Sequence, residues 1–214
     1  MIKNFLFDFD GTLADSGDAA VVGVQETFRK AELKVPSAQS IRYYMGVPIE
    51  TSFPIWTEHE LNDDQMNELY DSFREIYGRI ELSYTKLFPG MREVLEQLQQ
   101  SGRKIFLVTS KASMGIKRSL NHLKIADFFT DTIGSDQVAH YKPAPDGVID
   151  IVRKNNLDLD ECLMIGDAKY DLQMGNAAGV KTCGCKWGAF DVQSLKDQNP
   201  TYLLDKPEQL LEIK

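Results

Sequence analysis

The sequence predicts an α/β protein, a doubly wound parallel sheet interrupted by a helical insertion. Three observations carry this. Short apolar runs alternate with helical patterns through the second half of the chain, the signature of parallel βαβ units. The first apolar run is followed by about 70 residues that read as purely helical, too long for a single crossover. Each main run ends in polar residues, as expected where parallel strands present their carboxyl ends to a ligand.

The elements follow in order. "KNFLFDF" reads as a buried strand, closed by Asp10-Gly11. Residues 15–31 carry Val21, Val22, Val24 and Phe28 at helical spacing. Further helical patterns lie near 38–45, 48–57 and 64–80, with Leu61-Asn62-Asp63-Asp64 as a start signal. After Phe88-Pro89-Gly90 a helix over 91–101 stops at Ser101-Gly102, and "KIFLVTS" is the next strand. A helix over 113–123, a short strand near 129–133 and a helix over 145–156 come next. Then come the strand "CLMIGD", a helix over 170–178 closed by Gly179, and the strand "VKTCGC". A strand at 201–204 and a helix at 207–213 finish the chain.

The totals narrow the function classes. The 214 residues suit one domain, or a domain plus a small insert. A net charge of −8 argues against general nucleic-acid or membrane-surface binding, which select for basic patches. It leaves room for a small anionic substrate, because a local cation can override the global sign. No stretch reaches the roughly 18 apolar residues of a membrane span, and the N-terminus does not read as a signal peptide. A cytoplasmic location is expected. Cys162, Cys183 and Cys185 read as packed thiols rather than a disulfide framework or a zinc site. The sequence sets no oligomeric state.

The strand ends carry the chemistry. The first ends in Asp8-Phe-Asp10-Gly-Thr, the next in Thr109-Ser110-Lys111, and "CLMIGD" in Asp167, with Asp171 four residues on. The loop "HYKPAPD" adds Lys142. A spacing of two turns Asp8 and Asp10 to the same side of an extended chain. Taken singly, each feature also suits a turn, a helix cap or a solvated loop. Together they place several carboxylates, a lysine and a hydroxyl on one rim. Clustered carboxylates repel, and a hard divalent ion such as Mg²⁺ resolves this with oxygen ligands. Cation, lysine, hydroxyl and helix N-termini form a phosphate-binding set. An aspartate beside it can attack phosphorus, and a second carboxylate can move protons.

"DFDGTLADS", "LVTSK", "KPAPD" and "GDAKYD" resemble, in order, the four motifs of the haloacid-dehalogenase superfamily. The nearest likeness is to its phosphoglycolate-phosphatase-like branch, in which a helical cap follows the first motif. The resemblance covers nearly the whole chain. It implies a Rossmann-like core over 1–14 and 85–214, and a cap of four-helix type over 15–84. It further implies Asp8 as the nucleophile and Asp10 as the general acid/base. Asp8, Asp167 and the backbone carbonyl of Asp10 would hold Mg²⁺. Thr109, Ser110 and Lys142 would bind the phosphoryl group, and Asp171 would support the metal site or orient Lys142. Ala168 stands where Ser or Thr is usual.

The expected activity is hydrolysis of a small, phosphoglycolate-like phosphomonoester through an aspartyl-phosphate. Dehalogenases of the superfamily lack the second aspartate, and mutases place a histidine soon after motif one, which "SGDAAVVGVQETF" lacks. A phosphomutase, a pyrophosphatase or nucleotidase, and a receiver-like phosphate-sensing module are the alternatives. Arg42 is a candidate for the substrate's distal end, with a surface ion pair as the equal alternative, and Gly46 for a loop over the rim. Trp56, Tyr43 and Tyr44 read as cap packing ahead of substrate stacking, and Trp187 and Phe190 as core or rim packing.

Overall fold

A computed structural model describes residues 1–57 and 61–214. Six parallel strands form the central sheet. They are β1 (Asn4–Phe7), β4 (Lys104–Val108), β5 (Asp131–Ile133), β6 (Cys162–Gly166), β7 (Lys181–Cys185) and β8 (Tyr202–Leu204). Their order, β5-β4-β1-β6-β7-β8, puts β1 at the centre, where the direction of winding reverses. That switch point is where an open sheet leaves a crevice at its carboxyl edge. β1 pairs in parallel with β4 (Phe5 opposite Ile105) and with β6 (Phe5 opposite Leu163).

Side chains of period two divide the core into two layers. Phe5, Phe7, Ile105, Leu107, Leu163 and Ile165 face α5 (Met91–Gln100) and α6 (Ser113–His122). Leu6, Phe106, Val108 and Met164 face α7 (Asp146–Lys154) and α8 (Lys169–Ala178). The central strands are buried on both faces, which explains their unbroken apolar runs. All three cysteines are buried and free, as the packing reading expects.

A helical block lies between β1 and the rest of the sheet. It contains α1 (Gly17–Lys30), α2 (Ala38–Tyr43), α3 (Ile49–Trp56) and α4 (Asp63–Tyr84). It has its own apolar cluster, centred on Val24, Phe28, Ile41, Phe53 and Leu69. Phe53 meets Phe28, Trp56 and Phe73 at centroid distances of 5.3–5.9 Å. Asn62 caps α4 in a reciprocal capping box with Gln65, as the Leu61–Asp64 signal predicts. The chain enters and leaves the block through two short antiparallel strands, β2 (Ala14–Asp15) and β3 (Lys86–Leu87). Two residues each are too few for a readable alternation, so sequence periodicity misses them. It also misses α9 (Val192–Lys196), a short helix capped by Asp191. The segment expected as a closing α-helix is instead a 3-10 helix over Pro207–Glu212.

No helix among the described residues is long and apolar enough to cross a membrane.

Candidate active site

Four segments converge at the carboxyl edge of the sheet. Asp8 follows β1 directly, and its backbone N–H donates to the carbonyl of Ile165 on the neighbouring strand at 2.9 Å. The Lys142 ammonium, from the loop before α7, donates to Asp8 Oδ1 at 2.7 Å and to Asp171 Oδ1 at 2.6 Å. Asp171 lies in the first turn of α8 and has no solvent exposure. Asp167, just past β6, accepts from Thr12 Oγ1 at 2.8 Å. Carboxylate oxygens of Asp8, Asp167 and Asp171 lie within 4.8 Å of one another.

Burial dominates the electrostatics here. It pushes the Asp8 carboxyl up to about 6, against the opposing pull of Lys142. It pushes Asp167 well above the usual range too, with Asp171 and Asp8 adding repulsion. Burial works against the Lys142 ammonium, but Asp171 and Asp8 outweigh it and hold the lysine protonated. Lys142 pairs with Asp8 and Asp171 while Asp167 accepts from Thr12, so the cluster sets three carboxyl groups beside one ammonium. Its donors are oxygens only, the set that a hard divalent cation such as Mg²⁺ takes. The residues present therefore fit that ion.

Gly11 shows how tightly this corner is built. Its φ of +81° favours glycine, and a Cβ there would sit 2.2 Å from Asp167 Oδ2. A side chain at residue 11 would displace the carboxylate. The carbonyl of Thr12 in turn accepts from Trp187 Nε1 at 2.9 Å, so Trp187 braces the same turn.

Asp10 has a different set of partners. β1 stops at Phe7 and the chain turns, with Leu13 and Ala14 N–H groups both donating to the Phe9 carbonyl. The period-two argument for the aspartate pair therefore does not extend past Phe7. Both aspartates still line one cavity. Asp10 Oδ1 accepts from Ser16 Oγ at 2.6 Å, and Oδ2 lies 3.6 Å from Lys111 Nζ. Burial raises the Asp10 carboxyl, while Lys111 and Ser16 pull it back.

Lys111 leads to a network that the sequence reading missed. Its ammonium donates to Glu81 Oε1 at 2.6 Å and lies 4.9 Å from the Tyr77 ring centroid and 5.2 Å from that of Phe9. Glu81, in the last turns of α4, is fully buried. It also accepts from Arg118 at 2.6 Å and Ser119 Oγ at 2.5 Å, both on α6. Burial pushes Glu81 up, but Lys111, Ser119 and Arg118 outweigh it and hold the carboxyl below the usual range. Lys111 sits beside Thr109-Ser110 and was visible as part of that motif. Glu81 had no signal, because its partners come from 30 and 37 residues away.

Thr109 is buried at the end of β4, its N–H donating to the Ile133 carbonyl at 3.1 Å and its Oγ1 accepting from the Lys111 N–H at 3.3 Å. Ser110 Oγ donates to the Gly46 carbonyl at 2.9 Å, which ties the helical block to the rim. Gly46 adopts φ +85°, the conformation that lets its loop turn there. Arg42 forms an ion pair with Asp18 at 2.5 Å. It lines a second cleft beside Gly11, Asp167 and Trp187 rather than the cavity over Asp8 and Asp10. Tyr43 packs edge-on against Phe190 at 6.2 Å, a second contact between block and core.

This arrangement agrees with the comparisons to known proteins. The sequence model of haloacid dehalogenase-like hydrolases matches residues 5–185, which span every rim residue described above. The chain belongs to that family. Relatives of this haloacid dehalogenase-like hydrolase include a phosphoglycolate phosphatase of Vibrio vulnificus, 30% identical with 99% of this chain and 96% of the relative covered. Pyrophosphatase PpaX of Oceanobacillus iheyensis is 27% identical over 99% of this chain and 96% of its own length. Among solved structures, a haloacid dehalogenase-like family hydrolase from Streptococcus pneumoniae superposes with a TM-score of 0.88. It is 28% identical, with 99% of this chain and 97% of that chain covered.

Proposed function

We propose that the protein is a magnesium-dependent phosphatase of a small phosphorylated metabolite, working in the cytoplasm through an aspartyl-phosphate. The observation that carries this reading is the convergence of Asp8, Lys142, Asp167 and Asp171 on one edge, with Asp10 facing the same cavity. The names of the phosphatase relatives support it.

In this reading Asp8 attacks phosphorus and forms the new O–P bond as the bond to the leaving oxygen breaks. Asp10 gives that oxygen its proton, then accepts one from the water that hydrolyses the aspartyl-phosphate, releasing phosphate and restoring Asp8. Lys142 neutralises charge on Asp8 and the phosphoryl oxygens, held in place by Asp171. Thr109 and Ser110 orient the group. Asp8 and Asp167, with the Asp10 carbonyl and Asp171 beside them, would hold Mg²⁺. Bound there, the ion supplies positive charge to the transferring phosphoryl group. Residues 15–84 act as a cap domain that excludes water from the site. The absence of a histidine after motif one favours transfer to water over mutase chemistry.

Purified protein with Mg²⁺ is expected to release phosphate from p-nitrophenyl phosphate, to stop on adding EDTA and to recover when Mg²⁺ is restored in excess. No release, or release indifferent to chelation, overturns the reading.

A further inference from the structure

The cavity above the rim has two unlike ends. Its floor is polar, with Asp8, Asp10, Thr109 and Ser110. Its walls, from the helical block, include Tyr44, Met45, Val47, Ile49, Trp56 and Phe73. These six keep partial exposure beside an otherwise sealed apolar cluster. The indole N–H of Trp56 already donates to Ser40 Oγ at 2.8 Å, so what Trp56 offers the cavity is its ring. The volume is about 470 Å³, within the range of sites that enclose a whole small molecule.

The cations on this cavity are all engaged. Arg74 pairs with Glu50 at 2.7 Å and Asp71 at 2.8 Å. Lys111 pairs with Glu81 and Asp10, and Arg118 with Glu81. Among the described residues, no lysine or arginine lining the cavity lacks a carboxylate partner. Asp136, hydrogen-bonded to Ser113, adds negative charge to the same lining. A second anionic group on the substrate would be desolvated there without a free counter-ion, beside like charges. Arg42, the arginine that the sequence offers for a distal anion, lines the other cleft and is paired with Asp18.

We infer that the substrate is a phosphomonoester whose leaving group is uncharged and apolar, of one or two rings in size, seated against Trp56, Tyr44 and Phe73. The inference rests on the phosphatase reading and narrows it away from phosphoglycolate and pyrophosphate, whose remainders are small and anionic.

The test compares kcat/KM for 2-naphthylmethyl phosphate and 2-phosphoglycolate in Mg²⁺, with pyrophosphate as a third substrate. The first two both expel a primary alkoxide, so the comparison reads the pocket rather than leaving-group reactivity. The naphthylmethyl ester is expected to lead by about a hundredfold. Equal or better turnover of phosphoglycolate or pyrophosphate overturns the inference while leaving the phosphatase reading intact. No turnover of any ester overturns the phosphatase reading. The leaving-group inference is then decided by calorimetric binding of naphthylmethylphosphonate against phosphonoacetate, where preference for phosphonoacetate overturns it. Val47→Arg, checked for fold by circular dichroism, places a cation on the wall. It is expected to cut the naphthylmethyl preference about tenfold or more, and an unchanged ratio in the folded variant counts against the inference.

Discussion

Two buried charge clusters lie side by side at the edge of this sheet, and they are balanced differently. At the rim, Lys142 pairs with Asp8 and Asp171, and Asp167 stands beside them with Thr12 as its partner, three carboxyl groups to one ammonium. At the junction with the helical block, Asp10 and Glu81 face Lys111 and Arg118, two against two. A balanced cluster needs nothing further and can serve the fold. An unbalanced one costs stability unless a ligand completes it. On the proposed reading, the difference separates where a cation and a phosphoryl group would be held from the contacts that fasten the helical block to the core, with Asp10 facing both.

The largest effect should come from the unbalanced side. Asp8→Asn is expected to lower phosphate release by about 10⁴-fold or more, because in the proposed mechanism it removes the attacking oxygen. Without divalent cation, its unfolding midpoint in urea should match or exceed that of the parent, since one crowded carboxylate has been neutralised. A variant that keeps its activity would break the assignment of Asp8. Lys142→Met removes the ammonium that pairs with Asp8 and Asp171. Removing one partner of a buried pair costs about 3–5 kcal/mol, read as a lower urea midpoint, and phosphate release should fall with it.

Glu81→Gln probes the balanced side, and its signature is stability more than turnover. It leaves Lys111 and Arg118 short of their shared carboxylate, at a cost of about 3 kcal/mol near neutral pH. The pH dependence has a definite sign. Glu81 titrates lower folded than unfolded, so its contribution is complete above the ordinary value of 4.5 and is lost as pH falls through the folded value. The gap between parent and Glu81→Gln should therefore narrow as denaturant melts are carried from pH 7 into acid. A gap that widens would sink the network's role. Arg42→Ala is the smallest change. Its pair with Asp18 is largely exposed, and the unfolding free energy should move by less than about 1 kcal/mol.

The rim was more legible in the sequence than the junction, for a physical reason. Asp8, Thr109 and Asp167 sit at the ends of strands whose apolar runs can be read, and a parallel sheet brings such ends together. Asp171 stands four residues past Asp167, and Lys142 was legible as part of "KPAPD" in the loop before α7. The junction has no such grammar. Glu81 lies late in a long amphipathic helix, where an acidic residue ordinarily faces water, and only the docking of α4 against α6 buries it. The same limit applies to Arg42, whose partner Asp18 lies 24 residues away on α1. Short elements were lost for a simpler reason, since β2 and β3 have no period to detect.

The chain contains two tryptophans, one beside the rim and one in the cavity wall. Trp187 touches the turn that positions Asp167, through the carbonyl of Thr12. Trp56 stands in the cavity wall among the aromatic rings of the helical block. Intrinsic fluorescence thus reports on two places with no added label. If the rim takes the proposed ion, Trp56→Phe should leave emission that follows metal loading, and Trp187→Phe should leave emission that follows occupation of the cavity. Order of arrival, ion first or ester first, becomes a question that a stopped-flow fluorimeter can answer.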